Sequence, residues 1–170
     1  MKKVGFLLGT LLIGVLLYTV TLRADAQTED EKEIRALVQR LATAIRAKDV
    51  TTIMSSYVPD ESLYVFDVIP PRQFVGAKAY KKDWEDFFAP FPGPVEYEMS
   101  DLSITTEGNL GFSHNIDYFI LTDKEGKKLK FTTRTTDVYR KIDGKWFIIH
   151  EHVSVPVDLV TGRADLSSKP

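Results

Sequence analysis

The chain has 170 residues, of which 44% are hydrophobic, with 22 basic residues, 24 acidic residues and no cysteine. This mildly acidic balance, without a run of basic residues, excludes the electrostatic surface that nucleic-acid binding requires. The lack of cysteine excludes disulfides, thiolate chemistry and lipid attachment through cysteine, so the hydrophobic core must stabilise the fold alone.

The first 26 residues have the pattern of a secretory signal peptide. Lys2 and Lys3 precede an uncharged apolar run over residues 4–22, and Ala24-Asp25-Ala26 has the small-x-small form that signal peptidase cleaves. We predict cleavage after Ala26 and a periplasmic or secreted protein. The alternative is an uncleaved N-terminal membrane anchor, since the run approaches the roughly 20 residues that span a bilayer. Any membrane contact would be through this segment.

Cleavage would leave 144 residues, a usual size for a single domain. Of the charged residues, 19 basic and 23 acidic ones would remain, giving a net charge of −4. We predict one domain over residues 27–158 and a loose C-terminal tail over residues 159–170.

Three helices are predicted in the first half of this domain. Thr28 and Glu31 form a capping box that begins the first helix, whose apolar residues recur at the spacing of one buried stripe. Asp49 is expected to cap a short second helix, and Gly76 to open a third over residues 77–88. Between the last two, residues 63–68 are rich in β-branched and aromatic residues, which predicts a strand.

The second half is predicted to be four antiparallel strands joined by turns. The apolar alternation changes phase near Ser100 and Asp101, which predicts a β-bulge there. Asp143 and Gly144 form a hairpin turn before the last strand, residues 145–155. The order of elements therefore predicts an α+β fold.

The last strand is apolar on both faces. Trp146 and Ile148 fall on one face, and Phe147, Ile149 and Val153 fall on the other. Three helices can cover only one face of such a sheet, so a second copy of the chain is the simplest cover for the other. We predict a homodimer.

Four stretches, together spanning about residues 30–158, resemble the SnoaL-like, ketosteroid-isomerase-related branch of the nuclear transport factor 2-like superfamily. They are AKD at residues 47–49, FD at residues 66–67 followed by PP at residues 70–71 and Gly76, RTTDVYRK at residues 134–141, and DGKW at residues 143–146 running into HEHVSVP at residues 150–156. The ending also resembles the association domain of calcium/calmodulin-dependent kinases.

The resemblance implies a cone-shaped curved antiparallel sheet wrapped around the three N-terminal helices, with a pocket for small apolar or acidic molecules. The superfamily includes isomerases, lyases and hydrolases as well as pure binding modules, so the fold does not define a reaction. Small-molecule binding and cofactor-free catalysis both remain open, and an interaction hub is a third alternative. No phosphate-binding glycine loop or CxxC motif is present, and we expect neither a cofactor nor a metal.

Asp67 is the candidate general base. It ends the first predicted strand beside Val65 and Phe66, where apolar neighbours would raise its pKa towards neutrality. The alternative is an aspartate that accepts backbone N–H groups at the turn before Pro70.

Tyr57 and Trp84 lie on helix faces that are expected to point inwards. Tyr57 could donate a hydrogen bond to a ligand oxygen, and Trp84 could form the floor of a pocket. Plain core packing is the alternative for Trp84.

Arg134 lies in the middle of a strand that is expected to be covered on both faces. It either forms a structural pair with Glu151 on the neighbouring strand or anchors a ligand carboxylate through its guanidinium group. The expected ligand is therefore a small organic molecule, and a carboxylate is one candidate.

His114, His150 and His152 are the only histidines. Strict alternation places His150 and His152 with Trp146 and Ile148, on the face opposite to Glu151, and either face could line the pocket. His150 is the alternative base, and His114 is a candidate ligand contact. No third ligand completes a metal site with the paired histidines.

Overall fold

The computed structural model describes residues 27–168, so the predicted signal peptide lies outside the described residues. The helices are α1 (Glu29–Ala47), α2 (Val50–Met54) and α3 (Ala77–Phe88), and the strands are β1 (Tyr64–Phe66), β2 (Phe74–Val75), β3 (Val95–Glu107), β4 (Leu110–Thr122), β5 (Lys128–Ile142) and β6 (Lys145–Ser154). No helix in this part of the chain is long and apolar enough to cross a membrane.

The strands form one curved, unclosed sheet in the order β2-β1-β6-β5-β4-β3. The four long strands β3 to β6 pair antiparallel with their sequence neighbours, as predicted. Strand β1 joins β6 in parallel, and the short β2, which the sequence did not indicate, pairs with β1. The fold is the predicted α+β arrangement with N-terminal helices on one face of a curved sheet.

Two helix starts follow from local side-chain chemistry. Thr28 Oγ1 accepts from the Glu31 backbone N–H at 3.1 Å, and Glu31 Oε2 accepts from the Thr28 N–H at 3.1 Å, which completes the capping box. Asp49 Oδ1 accepts from the Thr52 N–H at 3.0 Å at the start of α2. Both predictions are confirmed.

The helices pack on one face of the sheet, which we call the inner face; the opposite side is the outer face. Apolar residues of α1 and α3 meet alternate residues of the long strands there and form the hydrophobic core. Fully buried examples are Ile34 on α1, Tyr80 on α3, Tyr139 on β5 and Ile148 on β6. Any cavity between the helices and the sheet therefore lies on the inner face.

The predicted bulge in β3 is present. The register with β4 shifts between Ser100 and Ser103, and Asp101 adopts a positive φ of 55°. An extra residue bends the strand and changes which side chains face inwards, as the phase change in the sequence indicated.

A second bulge, in β6, was not predicted and overturns the strict alternation assumed for that strand. Tyr139 pairs with Ile148, whereas Val138 pairs with His150, so Ile149 is the extra residue. Trp146, Ile148 and Glu151 consequently all lie on the inner face and are buried. His150 is turned away from that face.

The segment after β6 is ordered against the sheet, in contrast to the loose tail predicted for it. Val157 and Ala164 form a β-bridge, and the Leu166 carbonyl oxygen accepts from the Thr132 N–H at 3.0 Å. The turn between them carries Leu159 and Val160, which are almost fully exposed. The end of the described chain therefore lies beside β5.

Candidate ligand-binding cavity

A cavity of about 410 Å³ lies between the helices and the inner face of the sheet. Its apolar lining comes from α1, α3 and the long strands, and includes Val38, Leu41, Phe87, Met99, Phe119 and Phe131. Val68 and Ile69 from the loop after β1, and Ala164 and Leu166 from the C-terminal segment, also line it. This volume suits a small organic molecule.

Helix α3 presents one stripe of side chains to the cavity. Tyr80, Asp83, Trp84 and Phe87 follow the i, i+3, i+4, i+7 spacing that puts residues on one helix face. Gly76 opens this helix with a φ of 85°, a conformation that favours glycine. The Asp83 carboxyl group thus lies within a stripe of side chains that is otherwise aromatic.

Glu151 is the centre of a buried hydrogen-bond network. Its Oε2 accepts from the Tyr57 hydroxyl at 2.7 Å, and its Oε1 accepts from the Tyr80 hydroxyl. Burial raises the pKa of Glu151 to about 7, although the two hydroxyl donors oppose this rise. The carboxyl group is therefore poised to gain or lose a proton near neutral pH.

Asp137 lies directly across from Glu151 on the neighbouring strand. Burial, followed by the Glu151 charge, raises the pKa of Asp137 well above its usual range. Asp137 Oδ2 accepts from the Tyr139 hydroxyl at 3.0 Å, which in turn lies 2.9 Å from Ser113 Oγ. Because the two carboxyl groups are adjacent and buried, ionisation of Glu151 opposes ionisation of Asp137.

Asp117 forms a separate cluster on β4. It accepts from the Tyr97 hydroxyl at 2.6 Å, from Asn115 Nδ2 at 2.8 Å and from Thr135 Oγ1 at 2.6 Å. Burial raises the pKa of Asp117, but these three donors oppose the rise. The carboxylate is compensated by hydrogen bonds alone.

Asp83 and Asp67 complete the acidic lining. Burial raises the pKa of Asp83 to about 7, with further contributions from the charges of Asp67, Asp86 and Glu151. Burial also raises the pKa of Asp67, although backbone N–H groups and the Tyr80 hydroxyl oppose the change. Within residues 27–168, no group of three or more potential ligand side chains is arranged to hold a metal ion.

The sequence profile of the SnoaL-like domain matches residues 34–158. The chain belongs to the SnoaL-like domain family. A comparison with curated proteins finds no match.

Solved structures agree with this assignment. A nuclear transport factor 2-like protein of unknown function from Pseudomonas putida is 33% identical, with a TM-score of 0.76, over 85% of this chain and 99% of its own. A Xanthomonas campestris protein, provisionally assigned as a calcium/calmodulin-dependent protein kinase II association domain, is 24% identical, with a TM-score of 0.64, over 76% of this chain and 89% of its own.

A third protein, from Novosphingobium aromaticivorans, is provisionally assigned as a scytalone dehydratase. It is 16% identical, with a TM-score of 0.66, over 75% of this chain and 85% of its own. At these lower identities the second and third structures share the fold with this chain, and their provisional activities remain statements about those proteins.

Four of the predicted site residues meet in the cavity of this SnoaL-like domain. Tyr57, Asp67, Trp84 and Glu151 all line it. Asp67 Oδ1 also accepts from the backbone N–H of Val68, so its turn-forming role and its place on the cavity wall coexist. Trp84 both packs in the core and lines the cavity.

Arg134 does not lie in the cavity. It is exposed on the outer face and pairs across the sheet with Ile116 and Ser154, whereas its neighbours Thr133 and Thr135 face inwards. The expected Arg134–Glu151 pair is therefore wrong, because the two residues point to opposite faces. The reason for expecting a carboxylate ligand disappears with it.

The histidines also lie outside the cavity. His114 is exposed on the outer face of β4. His150 Nδ1 donates to the Tyr64 carbonyl oxygen at 2.7 Å, and Phe66 packs against both His150 and His152 with ring centroids 5.4 Å and 5.6 Å away. The bulge at Ile149 is the physical reason that His150 cannot act as a base in the cavity.

Sequence reasoning missed several cavity residues, namely Tyr80, Asp83, Tyr97, Asn115, Asp117, Thr133, Thr135 and Asp137. The sequence did carry a signal for two of these residues, Asp83 and Asp117. Asp83 interrupts the apolar stripe of α3, and Asp117 shares its strand face with Phe119 and Leu121. A charged residue at a position expected to be buried is informative, since such residues are rarely left without compensation.

Proposed function

We propose that the protein binds a small, largely apolar organic molecule in the cavity beneath the inner face. The observation that supports this proposal is the composition of the cavity wall, in which aromatic and aliphatic side chains surround a few convergent polar groups. Such a combination is the usual character of a small-molecule site, with the apolar wall supplying affinity and the polar groups supplying orientation.

A thermal-shift screen of small organic molecules tests the proposal, because a ligand of the native state raises the melting temperature. Leu129→Trp would place a large ring at the exposed part of the cavity wall and should weaken the shift. Leu110→Trp is the matched control, since Leu110 is 50% exposed and lies off the cavity, while Leu129 is 43% exposed. Equal shifts in both variants would count against this cavity.

A second candidate function is cofactor-free isomerase, lyase or hydrolase activity with Asp67 as the general base. Asp67 favours it because its pKa is raised by burial, it lines the cavity, and the Tyr80 hydroxyl lies close enough to hydrogen-bond to it. A carboxylate base beside a hydroxyl donor is an arrangement that can move a proton on a bound substrate.

Asp67→Asn should keep ligand binding and abolish turnover of any substrate found, since an amide cannot accept the proton. Asp123→Asn, a change of the same charge in the turn between β4 and β5, serves as the control. Turnover that survives in Asp67→Asn would transfer the role of base to Asp83 or Glu151.

We also propose that the protein is exported and that residues 1–26 are removed. The support is the basic, apolar and small-x-small pattern of this segment. Mass spectrometry of the secreted or periplasmic protein should find Gln27 at the N-terminus. Recovery of only the full-length chain, in membranes, would favour the anchor instead.

A homodimer through the outer face is a further proposal. Phe66, Leu110 and Phe112 are exposed on this face, where apolar side chains commonly mark an interface. Light scattering should give the mass of a dimer, and Phe112→Glu should yield a monomer. Leu159→Glu, at the exposed C-terminal turn, should leave the mass unchanged; a monomeric wild type would contradict the proposal.

A further inference from the structure

All charged groups on the cavity wall have the same sign. The lining contains Asp67, Asp83, Asp117, Asp137 and Glu151, and no lysine, arginine or histidine among residues 27–168 contributes to it. An anionic ligand would meet several acidic groups at short range in a medium of low dielectric constant. The wall therefore selects against carboxylates and phosphates.

The acidic side chains of the wall accept different numbers of side-chain hydrogen bonds. Asp117 accepts three side-chain hydrogen bonds and Glu151 accepts two. Asp137 accepts one, from Tyr139, and no side-chain donor reaches Asp83 among the described residues. The acid with the least compensation is thus Asp83, which lies within the influence of the Asp67 and Glu151 charges.

Three deeply buried polar atoms on the same wall have no hydrogen-bond partner among the described residues. They are Asp137 Oδ1, Thr133 Oγ1 and Trp84 Nε1, and each belongs to a side chain that is at least nine-tenths buried. Leaving such atoms unbonded is costly, because they have lost water without gaining a partner. Asp137 Oδ1 can accept from an N–H group of a ligand, Thr133 Oγ1 can accept or donate, and Trp84 Nε1 can only donate, so together they indicate a polar group of a ligand in the cavity.

Aromatic rings border the same region. The ring centroids of Tyr80 and Trp84 lie 6.1 Å apart, and those of Trp84 and Phe87 lie 5.9 Å apart, on the cavity-facing stripe of α3. The faces of aromatic rings attract cations electrostatically, most strongly for tryptophan. Acidic groups and aromatic faces together are complementary to an organic cation.

We infer that the ligand carries a cationic amine or quaternary ammonium group on an apolar body, and that Asp83, Asp137, Glu151 and the Trp84 ring receive the cation. The inference rests on the proposed small-molecule function and specifies the chemical class of the ligand for the same cavity. The aliphatic and aromatic residues elsewhere on the wall receive the apolar body.

Binding of the cation has a defined dependence on pH. The pKa values of Asp83 and Glu151 are both raised to about 7, so both groups are partly protonated in the free protein at neutral pH. The titratable groups facing these two are Tyr57, Asp67, Tyr80, Asp86 and Asp137. A bound cation favours the ionised carboxylates, so binding should release protons and become tighter as the pH rises from 6 to 8.

The test uses matched probes that differ only in charge. Phenylpropylamine, phenylpropanol and phenylpropanoate form one set, and the corresponding cyclohexylpropyl compounds form another. The amines remain charged throughout this pH range, as lysine does with an ordinary pKa of about 10.4. Isothermal titration calorimetry, in two buffers of different ionisation enthalpy, measures both the dissociation constant and the protons released.

We expect the amine to bind about tenfold or more tightly than the alcohol at pH 8, with the carboxylate weakest and protons released only with the amine. Equal or tighter binding of the alcohol, or binding of the carboxylate as tight as that of the amine, overturns the inference and leaves the proposed function standing. No binding by any member of either set counts against both the inference and the proposed function for molecules of this size.

Two variants, each of which removes one negative charge from α3, test whether the cation binds at Asp83 or is attracted only by the overall negative charge of the protein. Asp83→Asn should reduce the preference for amine over alcohol about fivefold or more and reduce proton release. Glu85→Gln removes one negative charge from an exposed position of the same helix and should leave the preference unchanged. Equal losses in the two variants overturn the assignment of the cation to Asp83.

Discussion

Asp117 and Asp137 are two carboxyl groups on the inner face of adjacent strands, and their residues are 5% and 4% exposed, respectively. Asp117 accepts from three side-chain donors, whereas Asp137 accepts from one and lies opposite the Glu151 carboxyl group. The same residue type at the same depth is therefore a satisfied structural anion in one place and an incompletely compensated acid in the other. Burial alone therefore does not distinguish a structural carboxyl group from a functional one, whereas the number of side-chain donors that it accepts from does.

The largest effect is expected from Asp117→Ala, which would leave three buried donors without an acceptor. We expect a loss of about 3 kcal/mol in the free energy of unfolding, measured by urea denaturation. Asp86→Ala, on the exposed side of α3, should change it by less than about 0.5 kcal/mol. A similarly small loss for Asp117→Ala would mean that its hydrogen bonds contribute little net stability.

The unliganded protein should become less stable as the pH rises. Burial raises the pKa values of Asp83 and Glu151 to about 7 and that of Asp137 well above its usual range. Because the folded state holds protons that the unfolded chain has already released, stability falls as the pH rises from the unfolded pKa values towards the folded ones.

Between pH 5 and pH 8 we expect the free energy of unfolding to fall by at least about 2 kcal/mol, because a single group with a folded pKa of about 7 already loses about 1.4 kcal/mol for each pH unit between 5 and 7. Urea denaturation at several pH values measures this slope, and Asp83→Asn should reduce it, whereas Glu85→Gln, at an exposed position of the same helix, should not. Stability that rises over this interval would contradict the assigned direction of the pKa changes.

A smaller effect distinguishes the donors of the two clusters. Tyr80→Phe removes a donor to Glu151, and we expect a loss of about 1.5 kcal/mol at pH 8 that shrinks at pH 5, where Glu151 is protonated. Tyr97→Phe removes a donor to Asp117, and its cost should be nearly the same at both pH values. Parallel pH profiles for these two variants would remove the distinction between the clusters.

The smallest effect is expected on the outer face of β5. Arg134→Met should change the free energy of unfolding by less than about 0.5 kcal/mol, because Arg134 is exposed and no acidic partner lies in salt-bridge contact with it among the described residues. Thermal unfolding in urea-free buffer checks this. A loss of several kcal/mol would instead indicate that Arg134 is covered in the assembled protein.

Local chemistry explains what could be predicted from the sequence. The capping box at Thr28 and the cap at Asp49 depend on residues three positions apart, and the phase change before Leu102 marks a bulge by itself. These features need no knowledge of distant contacts, and all three are present in the structure.

The cavity was harder to predict, because its composition depends on how strands pair. The extra residue in β6, Ile149, ends a continuous apolar run over residues 146–149, so the alternation carries no mark of the bulge. This one irregularity turned Glu151 inwards and the histidines outwards. The pairing of Asp137 with Glu151 likewise follows from β5–β6 register, which residue spacing along one strand does not encode.

The C-terminal segment gives the cavity a wall that a protease could remove. Ala164 and Leu166 line the cavity, yet the turn before them carries Leu159 and Val160, which are 95% and 94% exposed. Exposed turns of this kind are preferred sites of nicking. Cleavage there would leave the wall segment tethered by a few backbone hydrogen bonds, to Thr132, Pro156 and Asp158, and by the bridge to Val157. We therefore predict that limited proteolysis weakens ligand binding while the helices and strands stay folded. Undiminished affinity in the nicked protein, measured alongside an unchanged circular dichroism spectrum, would contradict this.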